Sequence, residues 1–384
     1  MRSLYESLKR LSRRHTLDIY TLETADRTFL DLRKVSNAEY VFHFSPSKLF
    51  SSPFGRLNQF QRFVDLIRLD RLERHIAATI DRGQYDVVFA QPCMWTQAPL
   101  VLRYLRTPAI YYCHEPPRHI YENQFKATDS KLTFRTALDY LDPLIRLYYG
   151  AGQSFDWKST RSAKLVLVNS VFIHDQVKEI YDIEPVISYH GVDTEIFSPA
   201  TQPAKGKYVL SVGAIQPHKG YDFLIQSFGE IDAPLRPPLY LIGNVENDSE
   251  QKRLQALAQA SEVDLHIEVG LDQPTLTQRY KDALFVAYAP YNEPFGLVPL
   301  EAMACGKPVV GVNEGGIRET VVDSYTGFLV ERDPLRFGKA IQTLIADPAL
   351  IEQYGQNGRR HVTENWSWER SVADLEKHMR QVIQ

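Results

Sequence analysis

The sequence predicts an α/β protein of two Rossmann-like, doubly wound parallel-sheet domains, and three observations carry that expectation. The first is length: 384 residues exceed what a single compact core organises and suit two. The second is a set of short apolar runs in the second half, Tyr208–Gly213, Leu239–Gly243, Leu265–Gly270, Leu284–Ala289, Pro308–Val312 and Gly327–Val330. Each is nearly continuous rather than alternating, the pattern of strands covered on both faces. The third is that helix-like segments separate these runs, and repeated strand–helix alternation is the signature of a doubly wound sheet.

Taken in order, the second-half helices have identifiable starts. Ser249–Ser261 places Leu254, Leu257 and Ala258 on one face, with Asp248 or Ser249 as the expected cap. Pro274 stands where a first turn begins, ahead of Leu276, Tyr280 and Ala283. The first half reads similarly, with strands expected at Leu17–Leu22, Tyr40–Phe44, Asp86–Ala90, Ala109–Cys113, Leu165–Asn169 and Val186–Tyr189. A helix is expected over Leu57–Asp81, with Phe60, Phe63, Val64, Ile67 and Leu72 at helical spacing, and another from about Ser130 to Tyr149, broken near Pro143. The domain boundary falls near Gly191, giving an N-terminal domain over 1–190, and Ser198–Lys207 reads as the loop leading into the second domain. A doubly wound domain should open with a strand and a glycine-rich turn. This chain opens directly with a helix, so the first strand of the N-terminal domain and its glycine turn are expected to be missing.

Composition narrows the function classes. Formal net charge is -3, so no global basic field argues for a nucleic-acid partner. Cys93, Cys113 and Cys305 are too few and too widely spaced for a disulfide framework or a metal site, and are expected as small apolar residues in a reducing cytosol. The N-terminal stretch has no apolar run of signal-peptide length, and no segment offers about 18 uninterrupted apolar residues. The expected location is the cytoplasm, free or at the inner membrane face. The opening helix carries Lys9, Arg10, Arg13 and Arg14 apart from Leu4, Leu8 and Leu11. That arrangement suits an anionic membrane surface, and equally a domain helix with a solvated basic face.

Four segments carry chemistry. Glu293–Gly306 (EPFGLVPLEAMACG) follows an expected strand, so Glu293 lies in the loop at that strand's carboxyl end, where ligands bind in open α/β sheets. Phe295 and Gly296 lead into a helix of about Leu297 to Ala304, whose first amides form an anion site suited to a diphosphate. Glu301, one turn in, suits the vicinal hydroxyls of a ribose, and Glu293 a sugar hydroxyl. The plain alternative is a cap and a solvated helix residue. Val212–Tyr221 (VGAIQPHKGY) brackets Lys219 between Gly213 and Gly220 ahead of a helix, placing a point charge suited to phosphate oxygens, or a solvated loop lysine. Gly315–Gly316 opens a third strand-to-helix turn on the same sheet edge. In the first half, His114 and Glu115 end the strand Ala109–Cys113, where a histidine can hydrogen-bond a sugar hydroxyl or leaving phosphate, or simply be satisfied within its loop.

The stretch from Glu293 to Val330, together with SVGAIQPHKGYDFLI, LVNSVFIHDQV and YHGVDTEIFSP, resembles the family-4 glycosyltransferases of the GT-B fold, with the blocks in the family's order over nearly the whole chain. The resemblance implies two domains facing across a cleft: an acceptor-side domain 1–190, a nucleotide-sugar donor domain 191–365, and a last helix within 366–384, about Trp368 to Val382, crossing back onto the first. It implies a retaining transferase that moves a sugar from a nucleoside diphosphate to an acceptor such as a lipid-linked glycan or polysaccharide precursor, with no metal or other cofactor. By motif position Glu293 contacts the donor sugar and Glu301 the ribose. Phe295, Gly296 and Leu297 offer backbone groups, and Lys219 binds the diphosphate. His114 meets the sugar from the other domain, and base choice involves the Gly270 loop.

Two departures stand out. Many relatives carry an arginine five residues before the phosphate lysine, where this chain has Ala214. Losing that cation costs the leaving-group site roughly 1.5–3 kcal/mol unless another group, such as Arg318, makes it up. The other departure is the missing strand and glycine loop. Together they keep a non-catalytic or truncated nucleotide-sugar-binding subunit in view, and a sugar-nucleotide epimerase stands as a more distant alternative. Base, sugar, acceptor and oligomeric state are not legible in the sequence.

Overall fold

The structure, a computed structural model, describes residues 2–25, 30–51, 57–121, 143–200 and 206–384. Two units organise the chain, one of Met1–Tyr189 with Val372–Gln384, the other of His190–Ser371.

In the first unit β1 (Asp18–Leu22) pairs in parallel with β2 (Ala38–Phe42). A separate parallel sheet runs β3 (Val88–Ala90), β4 (Ala109–Cys113), β5 (Leu165–Val168) and β6 (Val186–Ile187), in that order. Central β4 is buried along its length, as its run AIYYC demands. The second unit holds a six-stranded sheet of β7 (Val209–Val212), β8 (Leu239–Gly243), β9 (Leu265–Val269), β10 (Val286–Tyr288), β11 (Val309–Val312) and β12 (Gly327–Val330). Its spatial order is β12-β11-β10-β7-β8-β9, with every pair parallel. This is the doubly wound order, with β7 at the centre and the chain winding outward to either side of it. All six expected strands of this unit are present.

The two units differ at one point. In the second, the first strand of the unit sits between β8 and β10. In the first, β1 pairs only with β2 and β3 only with β4 among the described residues, so no described strand takes the central place. Among the described residues the strands of this unit therefore form two separate parallel sheets.

Helices fill in as expected with local corrections. The helix expected over Leu57–Asp81 spans Asn58–Arg82. Of the helix expected from about Ser130 to Tyr149, residues 130–142 lie outside the described residues, and the described helix spans Pro143–Ser162. The helix Asp248–Ala260 is capped by Asn247, whose side chain accepts from the Glu250 amide. The Asp248 or Ser249 cap read from sequence is therefore wrong by one or two residues. The strand expected at Tyr40–Phe44 is displaced to Ala38–Phe42 because Phe44 leaves the strand to fill a core pocket with Leu69, Leu100 and Trp95. The last helix, Trp368–Ile383, contributes Val372, Leu375 and Val382 to a core of the first unit shared with Leu11, Ile110, Tyr112 and Leu167. The opening helix spans Arg2–Leu11, so Arg13 and Arg14 lie in the turn after it rather than on it. Within the unit Glu376 accepts from Arg14 at 2.9 Å and Arg10 pairs with Glu6, so two of the four cations Lys9, Arg10, Arg13 and Arg14 are engaged inside the unit. Among the described residues no helix is long and apolar enough to cross a membrane. The three cysteines are free, Cys113 and Cys305 buried.

Candidate functional site

β7 and β10 are neighbours at the point where the strand order of the second unit reverses. In open parallel sheets ligands bind outside the carboxyl ends of the strands at such a point. The loop after β7 carries Lys219 and the loop after β10 carries Glu293. Although 74 residues apart in sequence, the two meet: Lys219 Nζ donates to Glu293 Oε2 at 2.9 Å. Their side chains retain 20% and 16% of their exposure, enough to be reached from solvent but too little for the pair to be dismissed as a solvated surface contact.

Backbone detail explains why the two loops hold this geometry. After the 3-10 turn Pro217–Lys219, Gly220 adopts φ +68 and starts the helix Tyr221–Gly229. A β-carbon at Gly220 would lie 2.0 Å from the Ala289 carbonyl oxygen, so the turn needs glycine. The amide of Tyr291 donates to the His218 carbonyl at 2.9 Å, tying one loop to the other. Across from Gly213, the Tyr221 hydroxyl and the Lys219 methylenes fill the space a side chain there would occupy.

Beyond Glu293 the chain turns through Gly296 into the helix Leu297–Ala304, which has no side-chain cap. The amides of Leu297 and Val298 therefore have no partner within the helix, and they stand at its positive end. Gly315–Gly316 forms the strand-to-helix turn read from the sequence, between β11 and the short helix Ile317–Thr320, and it also clamps the backbone. The Gly316 amide donates to the Glu293 carbonyl at 2.8 Å, and a β-carbon at Gly315 or Gly316 would collide with the main chain of Glu293 or Pro294. Arg318, the candidate replacement cation, is exposed and donates to the Gly315 carbonyl at 3.1 Å.

Glu301 is buried, and Tyr280 donates its hydroxyl to Glu301 Oε2 at 2.8 Å. Phe295 turns its ring into the core against His190 and Trp366, each 5.5 Å between centroids, so only its backbone faces outward chemistry. Burial raises the phenol pKa of both Tyr221 and Tyr288, and the nearby Glu293 carboxylate raises each further. Gly270 follows β9 at φ +70 in open space, leaving room beside its backbone.

His114 belongs to the first unit, at the end of β4. Its Nε2 lies 3.2 Å from Gln91 Oε1, its ring packs on Tyr112 at 4.7 Å, and its carbonyl accepts from Asn169. Burial lowers its pKa to about 4, so the imidazole is neutral at physiological pH.

The structure thus joins Lys219, Glu293 and the amino end of Leu297–Ala304 in one place, with Gly213 and Gly220 beneath them. It also adds residues that sequence reasoning did not assign. Tyr280 was read only as a helix-face residue, and nothing in spacing reveals that its hydroxyl reaches Glu301. Gln91, one strand away from His114, carries no local signal at all. Arg332 is a third.

Comparison with known proteins follows the same lines. A family model described as Glycosyl transferases group 1 matches residues 192–361, and one described as Glycosyltransferase Family 4 matches residues 2–196. Alpha-1,3/1,6-mannosyltransferase ALG2 of Homo sapiens is 27% identical over 328 residues, covering 78% of this chain and 74% of the relative. D-inositol 3-phosphate glycosyltransferase of Salinispora arenicola is 32% identical over 226 residues, covering 51% of this chain and 50% of the relative. Among solved structures, sucrose-phosphate synthase from Thermosynechococcus elongatus superposes with a TM-score of 0.74 at 21% identity, covering 99% of this chain and 92% of that one. Anabaena Alr3699/HepE, solved in complex with UDP and glucose, gives 0.70 at 19% identity, covering 98% and 95%.

Proposed function

Because the chain belongs to glycosyltransferase family 4 and is a glycosyltransferase of the GT-B fold, we propose that it moves a sugar from a nucleoside-diphosphate donor to a glycan or lipid-linked acceptor with retention of anomeric configuration. The observation that carries this is the Lys219–Glu293 pair, 2.9 Å apart at the reversal of the strand order, beside a helix start with uncapped amides.

In this reading the donor exchanges partners with the pair. Its diphosphate takes the Lys219 ammonium and the amides of Leu297 and Val298, while Glu293 turns to the sugar hydroxyls. Backbone at Phe295 and Gly296 lines the sugar and diphosphate. Glu301, fixed by Tyr280, accepts from the ribose, and the open backbone at Gly270 faces the base. The bond from the anomeric carbon to the phosphate oxygen breaks with its electron pair leaving on the diphosphate. The acceptor oxygen bonds the same carbon from the same face, and its proton passes to the departing oxygen. Catalysis then consists mainly of stabilising charge on the leaving group, with no carboxylate acting as nucleophile as in retaining glycosidases and no metal ion taking part. His114, neutral and hydrogen-bonding, is assigned to the sugar on the family resemblance alone.

Two measurements test the proposal. A panel of UDP, GDP and ADP screened for thermal stabilisation identifies the base, since a ligand selective for the native state raises its melting point; no stabilisation by any of them overturns the donor site. Glu293→Ala should abolish transfer while the fold survives, and wild-type turnover in that variant overturns its placement. Contact with an anionic membrane surface at the cytoplasmic side belongs to the same proposal. It has to draw on an opening helix and the turn after it, whose Arg10 and Arg14 already face Glu6 and Glu376, and a failure to pellet with anionic liposomes at low salt removes it.

A further inference from the structure

We infer that Arg332 is a positioning residue for the donor site, one side chain that ties the loop delivering Glu293 to the loops on either side of it. Arg332 lies just after β12, at the outer edge of the sheet and away in sequence from every residue assigned above. Its Nη1 donates to the Ala289 carbonyl at 3.0 Å and its Nη2 to the Pro290 carbonyl at 2.9 Å. Those two carbonyls belong to the turn that leaves β10 and reaches Glu293 three residues later. The same guanidinium grips Glu314 in a fork, Nε to Oε1 at 2.7 Å and Nη2 to Oε2 at 2.6 Å. Glu314 immediately precedes the Gly315–Gly316 clamp on the Glu293 backbone. Its plane also lies over the Tyr291 ring, 3.8 Å from the centroid, and 5.1 Å from that of Phe223. Gly220, next to Lys219, packs beneath it, close enough that a β-carbon there would come within 3.3 Å of Nη1.

One side chain therefore holds the turn after β10 on one side, the turn after β11 on another, and backs the turn after β7. These three turns surround Glu293. The Glu293 loop also passes through Asn292 at φ +47, a left-handed conformation that asparagine adopts more readily than most non-glycine residues. Arginine suits this place because a planar fork can serve a carboxylate and two carbonyls at once while stacking on a ring; a lysine ammonium cannot do all of these. Arg332 touches none of the groups assigned to the donor, so its effect is exerted through Glu293.

The inference rests on the donor-site reading for its functional half but not for its structural half, and the experiment separates the two. Hydrogen exchange by mass spectrometry compares wild type with Arg332→Lys and Arg332→Ala. The amides of Ala289, Tyr291, Asn292 and Glu293 and of residues 314–316 should exchange at least about tenfold faster in Arg332→Lys, with the strands β7 to β11 unchanged. Unaltered protection of those amides in both variants overturns the inference, as does a uniform loss across the whole second unit. UDP-glucose and GDP-mannose, with UDP and GDP, are then titrated by calorimetry. Arg332→Lys should weaken the bound sugar nucleotide about five- to twentyfold and change the matching diphosphate less than about threefold. In a Glu293→Ala background the same lysine should have little further effect on either. An equal loss in both backgrounds overturns positioning through Glu293. If wild type binds no nucleotide, the donor-site reading falls, and the exchange result alone decides for or against the staple.

Discussion

Replacing Glu293 by glutamine should strengthen the binding of a free nucleoside diphosphate while abolishing sugar transfer. The two effects have opposite signs because Glu293 does different things in the two states. Without donor it neutralises Lys219 at 2.9 Å. At that separation and an effective dielectric near 20, the gross attraction is about 6 kcal/mol, most of it offset by desolvation of both ions. Fully exposed pairs retain about 0.2–1 kcal/mol, and breaking a fully buried pair costs about 3–5 kcal/mol. At 20% and 16% exposure the pair lies between these limits, at about 1–2 kcal/mol. A bare diphosphate must displace Glu293 from the ammonium and offers it no sugar hydroxyl in return. Glutamine keeps the shape and removes the competition, so affinity for the diphosphate should rise about five- to thirtyfold. Isothermal titration with the diphosphate selected by the thermal screen measures this, with transfer assayed in parallel. A fall in diphosphate affinity, or no change, would refute the exchange of partners and with it the idea that Lys219 serves the leaving group.

The remaining expectations are shorter. Lys219→Ala should weaken diphosphate binding by about 1.5–3 kcal/mol, the worth of a charge-assisted hydrogen bond, and unchanged affinity by calorimetry would remove it from the site. Tyr280→Phe leaves the buried Glu301 carboxylate without its hydroxyl donor; it should lower the melting temperature and reduce kcat/KM for the sugar nucleotide about tenfold or more. Glu73 is buried in the first unit and its carboxyl is pushed up to about 7 by desolvation, against the amide of Val101 that it accepts from. A raised folded-state pKa gives stability that is complete below the unfolded value near 4.5 and lost as pH rises through 7. Wild type should therefore lose about 2–3 kcal/mol relative to Glu73→Gln between pH 5 and pH 8, measured by denaturant titration at each pH; parallel stability curves would contradict it. With His114 held near 4, the pH–rate profile between 5.5 and 8 should keep its shape in His114→Gln even as the rate falls. Loss of an ionisation in that window would show the imidazole to be charged in use.

Much of the second unit is legible because burial on both faces writes itself into composition. β11, with all four residues buried, leaves no other reading of its apolar run. The first unit is harder where strands are only partly covered: β2 has exposed positions at Tyr40 and Val41, so its limits were set by a neighbouring core residue, Phe44, that is not in the strand. The cap at Asn247 was misplaced because three consecutive polar residues offer equivalent oxygens and only the chain's direction selects one. At the site, Lys219 and Glu293 could be placed together from sequence because each lies in the loop after a strand and those strands are neighbours in a doubly wound sheet. Arg332 could not, because its partners at Ala289 and Pro290 are main-chain carbonyls, which every residue has. Tyr280 and Glu301 meet across two helices whose relative rotation is a packing outcome, decided by side chains far from either.

The division of the first sheet has a consequence for the protein as a substance. β1 and β3 each present a rim of main-chain amides and carbonyls with no strand partner among the described residues, and such rims accept any extended segment that reaches them. A strand supplied there would gain a ladder of parallel bonds on one side or both and would knit the six described strands into one continuous surface. Colloidal behaviour on concentration should accordingly respond to substitutions along Asp18–Leu22 and Val88–Ala90 before it responds to any change around the sugar-nucleotide chemistry.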